Sequence, residues 1–265
     1  MAHIEVRKIR FRFDKPLDLD VSDEMLTQKL SLLGLSMTMP YLEPYLMRTM
    51  KAAQKEIRDT ALAQDARKFS QQEGHHYRNH ALLNDQIRRQ FDDAAADELR
   101  RIEAALDADY QRFSARKPPR FNLAYAEGFE AMTCSLALAM AEHSGFETAE
   151  MFPGGEIWAW HMAEEIEHRT VAFDVYQHLV GSYPYRLVFG TWAQYHYVSY
   201  VRRFARCMAD ALGYTMVRAS GEMQRSALRR YLGTLRPTYD PAKVPVPDCV
   251  DDLLARYSAM AAASA

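Results

Sequence analysis

The stretch Trp158-Ala159-Trp160-His161-Met162-Ala163-Glu164-Glu165-Ile166-Glu167-His168 places two imidazoles and a carboxylate at helical spacing in an apolar segment. Helical residues advance by about 100° each, so His161, Glu165 and His168 rise one turn apart on one face. A strand would turn His168 away from Glu165. Pro153-Gly154-Gly155 and Gly181-Ser182-Tyr183-Pro184 bracket the segment as turns, which predicts one long helix over 156–180. Glu164 and Glu167 point away from Glu165 by roughly 100° and 200° and are expected in solvent or in ion pairs.

A second word of the same form, Glu73-Gly74-His75-His76, lies inside another helical segment. Glu-x-x-His is short enough to arise by chance, so its context decides. Single glutamates sit in apolar surroundings before each word: Glu43 in Met39–Met47 and Glu130 in Tyr125–Thr133. The chain order Glu, Glu-x-x-His, Glu, Glu-x-x-His is that of ferritin-like di-iron and di-manganese centres. Two carboxylates bridge two divalent ions, and one His and one further carboxylate complete each. Oxygen and imidazole donors without thiolate suit iron or manganese better than structural zinc.

The expected metal ligands are therefore Glu43, Glu73, His76, Glu130, His161, Glu165 and His168. His161 is surplus to the symmetric pattern and makes the two positions unequal. His80, four residues after His76, is expected behind the ligands rather than among them. Glu127 competes with Glu130 one turn earlier. The Thr133 hydroxyl is open to two roles, proton relay or small packing residue. Pro44 disfavours helix at Glu43, which predicts a helix start or kink there. Burying so many carboxylates and imidazoles without a cation costs several kcal/mol each.

The remaining chain reads as helix. Ser22 can cap a first helix, and Pro40 and Pro44 mark the next boundary, with a helix from about Pro40 to Ala63. Others are expected at about 65–91, 95–115, 122–144 (ending at Gly145), 185–212, 222–235 and 248–260. Residues 4–13 alternate Ile9, Phe11, Phe13 and suggest an extended arm, its basic residues in solvent. The fold expected is an all-α, ferritin-like helical bundle, a four-helix core plus additional helices, with a short extended N-terminal arm. Residues 1–20 form the arm, 21–236 the di-metal helical domain and 237–265 a proline-containing tail.

Composition sets the outer bounds. The chain has 265 residues, 48% hydrophobic and 26% charged, which excludes disorder for its bulk. A formal net charge of −2 supplies no basic field for nucleic acid. Three separated cysteines (Cys134, Cys207, Cys249) form no disulfide framework and suggest the cytoplasm. No apolar run is long enough to span a bilayer. The aromatic helix at 185–212 is expected to pack over the core, with homodimerisation open.

The words Phe69–His80 and Trp158–Asp174, with Pro40–Tyr45 and Glu130–Thr133, resemble a bacterial family catalogued as predicted metal-dependent hydrolases. The resemblance covers most of residues 4–235. Its single glutamate followed by Thr three residues later favours Glu130 over Glu127. The ligand order is also similar to p-aminobenzoate N-oxygenase and its relatives, which are ferritin-like di-iron enzymes. That similarity implies two iron ions on the seven ligands above.

Three functions follow as expectations. The first is a di-iron oxygenase using dioxygen and an electron donor to oxidise a small organic substrate; Tyr77, Met132, Trp158 and Tyr195 could line its pocket, but ordinary core is the role expected of each. The second is a two-metal hydrolase, with zinc or manganese as alternatives to iron. The third is a non-enzymatic iron-binding protein.

Overall fold

The computed structural model describes residues 4–13, 16–144, 146, 154–217 and 221–263. Helices α1 (Asp23–Ala53), α2 (Thr60–Arg89), α3 (Asp93–Arg116) and α4 (Pro119–Ser144) come first. They are followed by α5 (Gly155–Glu167), α6 (Val171–Leu179), α7 (Tyr183–Ala211), α8 (Glu222–Thr234) and α9 (Asp248–Ala263). The fold is an all-α helical bundle. α1, α2, α4 and the α5–α6 pair surround the centre, with α3 and α7 outside them. Expected features at Gly145 and Pro153 lie outside the described residues.

Several boundaries differ from the sequence expectation, and α1 ends at Ala53 rather than near Ala63. Pro40 and Pro44 lie inside the single helix α1, and Glu43 sits within it rather than at a start or kink. Pro40 lacks the N–H that would serve the Ser36 carbonyl. Asn84 Nδ2 on α2 donates to that carbonyl at 3.1 Å instead, so a neighbouring helix repairs the gap. Nor does the Ser22 side chain cap α1. Another boundary is the break at His168, where the helix expected over 156–180 divides into α5 and α6. Ile166 O, freed there, accepts from Arg169 Nη1 at 2.8 Å, and Arg169 Nε also binds Pro241 O at 3.1 Å. Neither proline nor glycine marks this break.

α2 starts earlier than expected because Asp59 caps it, accepting from Ala61 N at 2.8 Å and Leu62 N at 3.1 Å. α7 packs over α1, α3 and α4 as expected. Gly34 permits this: a Cβ there would lie 2.6 Å from Val201 O. Tyr195 faces outward, 77% exposed, and is no part of the interior.

The N-terminal arm is extended, but its basic residues are not all in solvent. Ile4, Arg7, Ile9 and Phe11 are buried. An extended segment outside a sheet needs other partners for its backbone. α2 supplies them: Lys68 Nζ binds Ile4 O at 2.9 Å, and Gln72 Nε2 binds Glu5 O at 2.9 Å. Asn79 receives the Phe11 N–H at 3.0 Å and donates to Ile9 O at 2.9 Å. The tail is also packed. Tyr257 OH of α9 donates to Glu156 O at 3.0 Å.

Candidate metal centre

Glu43 from α1, Glu73 and His76 from α2, Glu130 from α4, and His161, Glu165 and His168 from the end of the α5 segment meet in the interior. None is more than 3% exposed. Glu73, Glu130, Glu165 and His168 form one group with donor atoms within 4.8 Å of one another. Glu43, Glu73 and His76 form a second, His76, His161 and Glu165 a third, and Glu43, His80 and His161 a fourth. Glu73 and Glu165 each link the group that holds Glu130 and His168 to a group that holds His76. Glu43, His76 and His161 lie on one side of these two carboxylates, and Glu130 and His168 on the other.

The spacing fits cations. His168 Nε2 lies 3.2 Å from Glu130 Oε2, 3.5 Å from Glu73 Oε1 and 3.5 Å from Glu165 Oε2. His161 Nε2 lies 2.8 Å from Glu165 Oε1 and 3.7 Å from Glu43 Oε1. Two donors bound at right angles at about 2.1 Å from one ion stand about 3 Å apart. Both carboxylate oxygens of Glu43, Glu73 and Glu130, with Glu165 Oε2, His76 Nδ1 and His168 Nε2, are buried with no hydrogen-bond partner among the described residues. So many orphaned donor atoms together are costly unless something binds them.

The hydrogen bonds behind the imidazoles settle their tautomers. Glu164 Oε2 holds His76 Nε2 at 2.9 Å, which leaves Nδ1 bare towards Glu73. Gln72 Oε1 holds His168 Nδ1 at 2.9 Å, leaving Nε2 bare. Ser36 donates its hydroxyl hydrogen to Asn84 Oδ1 at 2.7 Å, so its oxygen accepts from His80 Nδ1 at 2.9 Å. His80 Nε2 then accepts from His161 Nδ1 at 2.8 Å, and His161 Nε2 faces Glu165 Oε1 at 2.8 Å. All three imidazoles thus turn their other ring nitrogen inward, towards the carboxylates. Rings cover them: Phe69 meets His168 at 4.7 Å, Trp160 meets His76 at 4.7 Å, and Trp158 meets His80 at 4.8 Å.

Electrostatics agree with the geometry. Without a cation, burial and the neighbouring carboxylates push Glu43 and Glu73 well above the usual range. Burial and Glu165 push Glu130 up to about 8. Burial would raise Glu165 as well, but His168 and His161 outweigh it and hold that carboxyl low. Burial would lower His168, but Glu165 and Glu130 hold it well above its ordinary value. Burial and the imidazole of His161 keep His76 and His80 low. Two dications would replace these protons and offset the four carboxylates of the set.

Other candidates fall elsewhere. Glu127 lies outside the cluster and pairs with buried Arg186 at 2.8 Å, so it neither competes with Glu130 nor supports the donors. Thr133 Oγ1 donates to Phe129 O of its own helix at 3.0 Å, a packing arrangement rather than a relay. His80 lies behind His161, bonded to its Nδ1, and shares a donor group with Glu43 and His161. Glu164 is fully buried and holds His76, whereas Gln72, Ser36 and Asn84 carry no signal in the sequence. A cavity of about 840 Å³ is walled by Arg7, Glu167, Arg169 and Thr170 among others, and by none of the seven donors.

The family described as predicted metal-dependent hydrolase matches residues 5–244. The chain belongs to this family. The matched span carries every donor named above. No curated protein and no solved structure matches the chain. Among the described residues no helix is long and apolar enough to cross a membrane.

Proposed function

We propose that the chain is a dinuclear metalloenzyme, and that the seven donors are its ligands. Glu73 and Glu165 would span the ions, with Glu43, His76 and His161 on one and Glu130 and His168 on the other. The orphaned buried carboxylate and imidazole atoms carry this reading. Family membership supports hydrolysis of a small-molecule substrate as the reaction. Bound there, the metal pair would supply Lewis-acid activation of a water and of the substrate's carbonyl or phosphoryl oxygen. The chain's own part is to hold the lone pairs of His76, His161 and His168 inward and to keep the site dry. Phe69, Trp158 and Trp160 provide that apolar wall.

The donor set favours a second reaction. A carboxylate-rich, thiolate-free set on four helices is that of ferritin-like di-iron centres, which oxidise organic substrates with dioxygen. Under that reading the same residues hold two iron ions, and an external electron donor is required.

One experiment separates the two. The protein loaded with manganese or zinc is assayed under argon against ester and amide substrates, beside the ferrous protein exposed to dioxygen. Anaerobic turnover by the zinc or manganese form supports hydrolysis. Turnover only by the iron form in dioxygen overturns it in favour of oxidation. Fewer than two ions per chain in the loaded protein would sink both.

A further inference from the structure

The Arg7 guanidinium sits at 3% exposure where the arm crosses the end of α5. Its Nη1 donates to Glu164 Oε1 at 3.1 Å and to Glu167 Oε2 at 3.0 Å. Its Nη2 donates to Glu167 Oε1 at 2.9 Å, and its Nε to Ser258 Oγ of α9 at 2.9 Å. Each of the two glutamates leads to a different imidazole. Glu164 holds His76 through its other oxygen at 2.9 Å. Glu167 Oε2 also receives Gln72 Nε2 at 2.6 Å, which, with the bond of that nitrogen to Glu5 O, fixes the amide so that Oε1 faces His168 Nδ1 at 2.9 Å.

We propose that Arg7 is a positioning residue for both metal positions at once, holding His76 through Glu164 and His168 through Glu167 and Gln72. The inference rests on the dinuclear reading above. Arg7 touches none of the seven donors. Its planar fork bonds two carboxylates simultaneously, which a lysine ammonium on a flexible stem does not reproduce. Removing it leaves two carboxylates close together with no cation between them, so both would turn away and release the groups they hold. Outer hydrogen-bonding partners of this kind typically change metal affinity by roughly 10–100-fold.

The test is a cobalt(II) titration of the metal-free full chain, followed by visible absorption. The wild type is expected to bind two ions in two steps. Arg7→Met should weaken both steps, each by roughly tenfold or more. Glu164→Gln should weaken mainly the step that involves His76, and Gln72→Met mainly the one that involves His168. Arg7→Lys keeps the charge and a route to folding if Arg7→Met does not fold, and it should also weaken both steps. Two unchanged steps in whichever Arg7 variant folds, even with a lowered melting temperature, would make Arg7 a structural ion pair only and overturn the proposal. Weakening of one step alone would also overturn it. A wild type that fails to bind two ions would instead strike the dinuclear reading itself, and the proposal with it.

Discussion

Gly128 of α4 and Gly190 of α7 meet backbone to backbone: a Cβ on Gly128 would fall 2.5 Å from the Gly190 Cα. The contact lies two residues from Glu130 and fixes how closely α7 covers α4. Gly128→Ala should therefore destabilise the fold by at least about 1–3 kcal/mol, as overpacking does. Gly233, in α8, faces open space, and a methyl group there would meet nothing within 4 Å. Gly233→Ala should add up to about 1 kcal/mol by restricting the unfolded chain. Urea unfolding of the two variants checks the contrast, and equal effects would refute it.

Asn84 serves two structures at once, the proline-interrupted turn of α1 and the His80–His161 chain. Asn84→Ala leaves the Ser36 carbonyl without its donor, at a cost of about 1–3 kcal/mol. It should also weaken metal binding at the position that includes His161. Calorimetry of unfolding and of metal binding reads the two effects separately. A variant with lowered stability and unchanged metal binding would break the proposed link from Asn84 to His161.

Glu127 and Glu130 are one turn apart and should behave in opposite ways. Glu127→Gln is expected to keep two metal ions per chain, because its partner is Arg186. Glu130→Ala should lose an ion. Arg186→Met leaves the buried Glu127 carboxylate unpaired and should cost about 3–5 kcal/mol. Metal analysis by plasma mass spectrometry decides the first two, and denaturant unfolding the third.

Loss of a shared carboxylate should differ from loss of the surplus imidazole. Glu73→Ala is expected to abolish pairing of the ions. His161→Ala should weaken one ion more than the other. Equal occupancy of both positions in the latter variant would remove His161 from the ligand set.

Glu130 and His168 should make metal-free stability fall as pH rises. Burial and Glu165 push Glu130 up to about 8 from an ordinary 4.5, and, against its burial, Glu165 and Glu130 hold His168 above its ordinary value, so the folded chain holds protons there that the unfolded chain releases. The Glu130 contribution is full below about pH 4.5 and is lost as pH climbs through about 8, and it has to outweigh the opposite trend from His76 and His80, which are held low. Cations displace those protons, so metal affinity should rise over the same window. Melting curves between about pH 5 and pH 8, with and without manganese, test both trends. A melting temperature that rises with pH in the metal-free protein would contradict the first.

Much of this can be read from residue order. The i, i+3 spacing of Glu73 with His76 and of Glu165 with His168 is local, so the sequence displays it directly. Glu130 is distinguished from Glu127 in the sequence only by resemblance, because one helical turn separates them and the discriminating partner, Arg186, comes from α7. The break after His168 is hidden because no helix-breaking residue marks it, and one of the bonds that Arg169 makes there, to Pro241 O, comes from 72 residues along the chain. Arg7 looks solvated because charge on an alternating segment normally is. Its burial depends on Glu164 and Glu167, which lie far along the chain. Asn84, Gln72 and Ser36 are ordinary polar residues until the neighbouring helix is placed against them.

Arg7 is joined to Glu164 across 157 residues of sequence and to Ser258 across 251. Such distant closures form late in folding, after the elements they join exist. The arm would therefore be the last element to dock. On the dinuclear reading proposed above, an ion arriving before then would meet imidazoles still free to swivel, and loading at full strength would wait until α9 is home.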